Sequence, residues 1–154
     1  MTPFIRHEDF QTILDFAFGI ADRGIPLSLV MVEPDGWSDG DVPEAHREAL
    51  EGLAAAIGER TRRSDRVARL AGARFVALLM DCNRQGALIF ADRLQVAAAD
   101  FCATAGTTVS CGVASFGWGM KAPGDLVEAV EAALSRARAE GGDRIEVHEG
   151  AQED

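Results

Sequence analysis

Arg66-Val67-Ala68-Arg69-Leu70-Ala71-Gly72-Ala73-Arg74-Phe75-Val76-Ala77-Leu78-Leu79-Met80 is the stretch whose reading decides the fold. Two runs, 66–70 and 75–80, flank a glycine, which is the pattern of two strands joined by a tight turn. Working outward, Asp41 and Glu44 stand at capping-box spacing with Pro43 in the first turn, so a helix is expected to bury Ala45, Ala49, Leu53 and Ile57. Further upstream, Leu27 to Val32 is nearly continuous apolar sequence, as in a strand covered on both faces. Before it, Phe10, Ile13, Leu14 and Phe18 recur at helical spacing up to Ala21, and Arg23-Gly24 ends the run.

Downstream, 83–101 is helical by the same test, with Leu88, Ala91, Leu94, Ala98 and Phe101 on one face. Thr107 to Phe116 reads as a β-branched strand, Asp125 to Glu140 as a helix stopped by Gly141-Gly142, and Arg144 to Val147 as a short last strand. The order α-β-α-β-β-α-β-α-β predicts an α/β sandwich with helices on a mixed central sheet. One domain is expected over 1–150, with a disordered tail at 151–154.

Composition narrows the function. A chain of 154 residues with 47% apolar content can bury a single core. Cys82, Cys102 and Cys111 form no C-x-x-C pair and read as reduced core thiols. A net charge of −10 argues against binding duplex nucleic acid, where affinity rests on lysine and arginine at phosphates. No apolar run approaches the roughly 18 residues needed to span a membrane, and Met1 to Arg6 carries no apolar leader, so the cytoplasm is the expected location. Any anionic ligand must then be held by a local arginine cluster working against the overall field.

Four segments carry a family resemblance. Arg69-Leu70-Ala71-Gly72-Ala73-Arg74-Phe75 resembles the Arg-x-Gly-Gly-Asp-Glu-Phe signature of bacterial diguanylate cyclases with its acidic letters gone. Pro26 to Trp37 is similar to that family's first strand, Thr108 to Ala114 to its T-x-S-x-G-V-A strand, and Ala133 to Ile145 to its A-L-Y-x-A-K-x-x-G-R-N-R-V segment. The chain is thereby identified as a degenerate member of the GGDEF family over about 10–148. The resemblance implies a ferredoxin-like nucleotidyl-cyclase palm, a mixed and mostly antiparallel central sheet flanked by helices.

The resemblance also implies a chemistry, two GTP molecules joined by a ribose 3′-hydroxyl attacking an α-phosphate, with two magnesium ions held by carboxylates. Glu33 stands at the first metal-ligand position and Asp35 is retained, but Ala73 has no ligand atom and Arg74 brings a positive charge. Magnesium needs oxygen ligands in near-octahedral array, so no metal, no catalytic residue and no cyclase activity are expected. Glu33 and Asp35 then read as an exposed acidic strand end. The guanine-reading Asn falls on Asp41 and its partner Asp on Leu50, which cannot accept a hydrogen bond. The phosphate-contacting Lys matches Arg138, its companion Arg matches Gly142, and a family His matches His46, whose plainer reading is a surface or capping residue.

The product-binding inhibitory site is different. Arg62 and Asp65 match the family's R-x-x-D at its usual offset from the hairpin, and Arg93 falls where a helping arginine is expected. In the family these residues grip an intercalated dimer of cyclic di-GMP, for which the planar guanidinium fork is suited. Spacing alone means little, because Arg6-His7-Glu8-Asp9 spells the same motif. The plainer reading of Arg60, Arg62, Arg63, Arg66 and Arg69 is a solvated charged face. Two functions follow as expectations: a non-catalytic cyclic di-GMP receptor acting through an unidentified protein partner, or a ligand-independent scaffold or dimerisation module. Trp37 and Trp118 read as core or rim aromatics.

Overall fold

A computed structural model describes residues 4–36, 46–70 and 72–149. Within them the chain runs β1 (Phe4–Ile5), α1 (His7–Ala21), β2 (Leu27–Pro34), α2 (Arg47–Arg60), β3 (Arg66–Arg69), β4 (Phe75–Met80), α3 (Arg84–Thr104), β5 (Val109–Ser115), α4 (Pro123–Ala139) and β6 (Ile145–Val147). Every element expected from the sequence is present, with ends shifted by a few residues. The one addition is β1, which pairs in parallel with β3 and sets Phe4 edge-on to Phe75 at 6.0 Å between ring centroids. The proposed cap of α2 at Asp41 and Glu44, with Pro43 and Ala45, lies outside the described residues, as do Trp37, Ala71 and the tail.

The six strands form one sheet in the order β1-β3-β4-β2-β5-β6. The pairs β3–β4, β4–β2 and β2–β5 are antiparallel, while β1–β3 and β5–β6 are parallel, so the sheet is mixed and mostly antiparallel as expected. The hairpin forms because Gly72 takes the left-handed conformation (φ 73°) that closes the turn, and Leu70 N–H donates to Arg74 O at 2.7 Å. β2 is central and buried along all 8 residues, which explains its unbroken apolar run.

Helices cover both faces. One core joins Val30, Val32, Phe75, Leu79 and Val113 to Leu50, Leu53 and Ile57 of α2 and Ala91, Leu94 and Ala98 of α3. The other joins Leu27, Leu29, Met31 and Leu78 to Phe10 and Leu14 of α1 and Leu126, Val130 and Leu134 of α4. Phe101 is not buried with the α3 stripe as its spacing suggested; it is 38% exposed and lies against Gly52 of α2, while Cys102 takes the buried place. The three cysteines are free thiols, and burial, with smaller contributions from Asp35 and Cys102, pushes the Cys111 thiol up to about 12.

Candidate functional site

The end of β2 carries the chemistry the sequence pointed to, in an arrangement the sequence did not show. The β2–β4 register pairs Val32 with Phe75, so one residue on Glu33 faces Arg74 across the two strands. Glu33 is not an exposed strand end; it is 1% exposed. Its Oε1 accepts from Arg138 Nη1 at 2.6 Å and from Arg74 Nη2 at 3.4 Å, and Arg74 Nε lies 3.4 Å from Oε2. That last contact is an ion pair without hydrogen-bond alignment, since Arg74 Nε has no hydrogen-bond partner. A carboxylate so buried needs compensating charge, and two guanidinium groups supply it.

Asp35 is equally engaged. Its Oδ1 accepts from Ser110 Oγ at 2.6 Å, and its Oδ2 from Thr108 Oγ1 at 2.6 Å and Asp143 N at 2.9 Å. Gly142 comes so close that an added Cβ would lie 2.7 Å from the Asp35 carboxyl carbon. Asp35 therefore ties the β5 side of the sheet to the turn before β6. The residues here do not fit magnesium: Glu33 is neutralised by arginines, Asp35 is consumed by hydrogen bonds from Thr108, Ser110 and Asp143, and Ala73 is a buried methyl. Leu50 is 5% exposed and packed in the core, so it faces no ligand. Asp41 lies outside the described residues, and His46 occupies the N-cap position of α2.

The Arg62 and Asp65 pair sits at the other end of the hairpin, in the turn between α2 and β3. Asp65 is 1% exposed. Its Oδ2 accepts from Arg62 N at 2.8 Å and its Oδ1 from Met80 N at 3.3 Å, so its carboxylate closes the turn and pins it to the end of β4. The Arg62 side chain stays 55% exposed, places Nε 3.5 Å from Asp65 Oδ2 and donates from Nη2 to Met80 O. The decoy at Arg6 and Asp9 has no such setting; both side chains are largely exposed at the start of α1. Arg93 is exposed midway along α3 and makes no hydrogen bond or ion pair with Arg62 or Asp65 among the described residues. The other arginines of the run donate mainly to backbone: Arg60 to Ala56 O, Arg66 to Arg63 O and Asp65 O, and Arg69 to Gly72 O.

The family model described as "Diguanylate cyclase, GGDEF domain" matches residues 44–144, well over half of the chain. The chain belongs to the GGDEF diguanylate cyclase domain family. It is 23% identical over 152 residues to diguanylate cyclase A of Treponema denticola, covering 92% of this chain and 41% of that protein. The chain thus spans less than half the length of that curated relative. Among solved structures it is similar to the active GGEEF domain of a Vibrio cholerae diguanylate cyclase (TM-score 0.83, 19% identity, 95% of this chain and 98% of that one). It is also similar to the GGDEF domain of DgcB from Caulobacter crescentus solved with c-di-GMP (TM-score 0.80, 18% identity, 96% and 90% covered). These likenesses establish the cyclase palm expected from the sequence. No helix among the described residues is long and apolar enough to cross a membrane.

Sequence reasoning placed Glu33, Arg74 and Arg138 at one site but missed that they join each other. The signal was there: the resemblance sets Glu33 and Arg74 at the metal position and Arg138 at the phosphates, one acid among two arginines. It likewise missed that Asp65 builds the turn it was expected to lend to a ligand.

Proposed function

We propose that this GGDEF domain is a non-catalytic receptor for cyclic di-GMP. The dinucleotide, as an intercalated dimer, is held at Arg62, Asp65 and Arg93, and the complex signals through contacts with a protein partner. The observation that carries the reading is Glu33 locked between Arg74 and Arg138 at the cyclase end, while Arg62 at the opposite end of the hairpin keeps an exposed guanidinium. The C. crescentus relative solved with c-di-GMP supports the ligand class. For ligand to reach Asp65, Arg62 must leave Met80 O and turn outward, exchanging a backbone acceptor for a guanine edge or phosphate.

Isothermal titration of the purified chain with cyclic di-GMP tests this. Arg62→Ala is expected to weaken binding roughly 10- to 150-fold, the loss of charge-assisted bonds worth on the order of 1.5–3 kcal/mol. Arg93→Ala weakens it less, and Arg6→Ala leaves it unchanged. Binding falls as salt rises, because an anion meets arginines on an acidic protein. Asp65→Ala weakens binding nearly as much as Arg62→Ala but also removes the acceptor of two backbone N–H groups, so its thermal midpoint is read beside its affinity. No heat with the wild type at high micromolar ligand, or an Arg62→Ala variant that binds as tightly, sinks the receptor reading.

One observation favours a second reading: the carboxylate of Asp65 is buried and already bonded on both oxygens. A ligand-independent scaffold or dimerisation module would need no more of it than that. The same titration, silent at all concentrations, selects this scaffold.

The protein is also expected to make no cyclic di-GMP from GTP with magnesium or manganese. Restoring the acidic letters, Ala73→Asp with Arg74→Glu, does not bring turnover back. That change sets a second carboxylate opposite Glu33, and Leu50 still offers guanine nothing. Product detected by chromatography from either protein, and lost in Glu33→Ala, reverses this expectation.

A further inference from the structure

β2 begins, and β4 and β5 end, at the pole of the sheet away from Glu33, and there the ends of α1, α3 and α4 stand apart around an open groove of about 1320 Å³. Its apolar lining includes Ile25, Leu88, Phe116, Trp118 and Met120. Trp118, on a Gly117-Trp118-Gly119 turn, is 77% exposed and Ile25 is 42% exposed. Of the two places its sequence setting allowed, core or rim, Trp118 takes the rim. Among the described residues, the acids lining the groove are Asp22, Asp125, Glu128 and Glu149, against Arg84, whose guanidinium donates to Glu149 O, and the imidazole of His148.

Three features choose the occupant. The volume exceeds the range of about 300–1,000 Å³ usual for small-molecule pockets, and among the described residues no buried polar group converges on it. The strand ends there have spent their backbone on each other, with Phe116 N donating to Leu27 O at 2.7 Å and Cys82 N to Pro26 O at 3.3 Å, so an incoming strand finds no ladder to extend. A protruding tryptophan in an apolar trough, flanked by acids, matches a helix with an apolar face and a cationic border.

We propose that this groove docks a lysine- and arginine-rich amphipathic helix of a partner protein. The proposal uses none of Arg62, Asp65 or Arg93, and its test contains no dinucleotide, so it stands or falls separately from the receptor reading. The probes are two synthetic peptides of identical helical pattern, one leucine/lysine and one leucine/glutamate, titrated calorimetrically into the full chain.

The leucine/lysine peptide is expected to bind with one-to-one stoichiometry. Trp118→Ala, which leaves the net charge alone, is expected to weaken it about tenfold or more. Asp22→Lys with Glu128→Lys is expected to do the same, whereas Glu51→Lys on the exposed face of α2 leaves binding unchanged. Equal binding of both peptides, or indifference to Trp118→Ala, means that diffuse charge attraction alone is at work and overturns the proposal. If instead sedimentation shows the wild type self-associating and Trp118→Ala monomeric, the occupant is a second copy of this chain and the partner helix is ruled out.

Discussion

Adding one methyl group at Gly112 lowers the unfolding free energy by about 3 kcal/mol, the upper end of the usual cost of overpacking. Gly112 lies in the middle of β5, where α4 crosses the sheet. A Cβ there would lie 2.5 Å from Leu134 N, 2.7 Å from Val130 O and 3.0 Å from Leu134 Cα. All three are backbone atoms of a helix interior, so nothing can rotate aside; α4 must lift off β5 and carry Leu126, Val130 and Leu134 with it. For a domain of this size the change corresponds to a fall of roughly 6–12 °C in Tm. Gly52→Ala is the natural control. Its Cβ would meet the ring of Phe101 at 2.5 Å, but that ring is partly exposed and free to swing, and alanine is the better helix former. Urea unfolding of Gly112→Ala, Gly52→Ala and wild type decides the matter; a Gly112→Ala protein within 1 kcal/mol of wild type would show that α4 is not seated as described.

Glu33→Ala is expected to destabilise the fold by about 3 kcal/mol, because removing one partner of a buried charge cluster strands the others. The figure sits at the low end of the range for buried pairs, since Arg74 and Arg138 keep 24% and 35% of their side-chain surface and water relieves part of the loss. Arg74→Ala costs less, as Arg138 still holds Oε1 at 2.6 Å. In a double-mutant cycle, Glu33→Ala and Arg138→Ala are strongly non-additive, because either change alone already breaks their contact. A Glu33→Ala protein as stable as wild type, or simple additivity in the cycle, would falsify the cluster as a structural unit. A metal-binding strand end would behave oppositely, gaining stability when a carboxylate is removed from a crowd of acids.

Local pattern made most of the fold legible. The helices announced themselves through Phe10, Leu14 and Phe18, or Ala91, Leu94 and Ala98, because an amphipathic face must repeat every 3 to 4 residues. The hairpin did so through its two runs and Gly72. Phe4–Ile5 could not be read, because two residues have no period and their pairing with Val67 and Ala68 is decided by the core. At the cyclase end the sequence told which groups were lost but not what replaced them. Glu33 lies 41 residues from Arg74 and 105 from Arg138, and only the sheet register and the seating of α4 bring them together. Asp65 was recognised by its offset from the hairpin, yet its bonds to Arg62 N and Met80 N depend on how the turn folds back on β4. Trp118 was left between core and rim, because nothing in a Gly-Trp-Gly triplet decides between them; only the fold sets it on the rim of the groove.

The sheet is bounded by strands of two and three residues, β1 and β6. A long free border of N–H and C=O groups invites another chain to continue the ladder, and short borders are one of the ways proteins discourage it. The four-residue β3, which would otherwise be the border, has its central Val67 and Ala68 occupied by Phe4 and Ile5. At the opposite margin, Arg136 donates to Glu146 and to Val147 O, so charged groups crowd the last strand. Resistance to edge-to-edge association is thus built into the ends of the sheet: trimming Phe4 and Ile5 would lengthen the open margin at β3 and is expected to favour fibrous association.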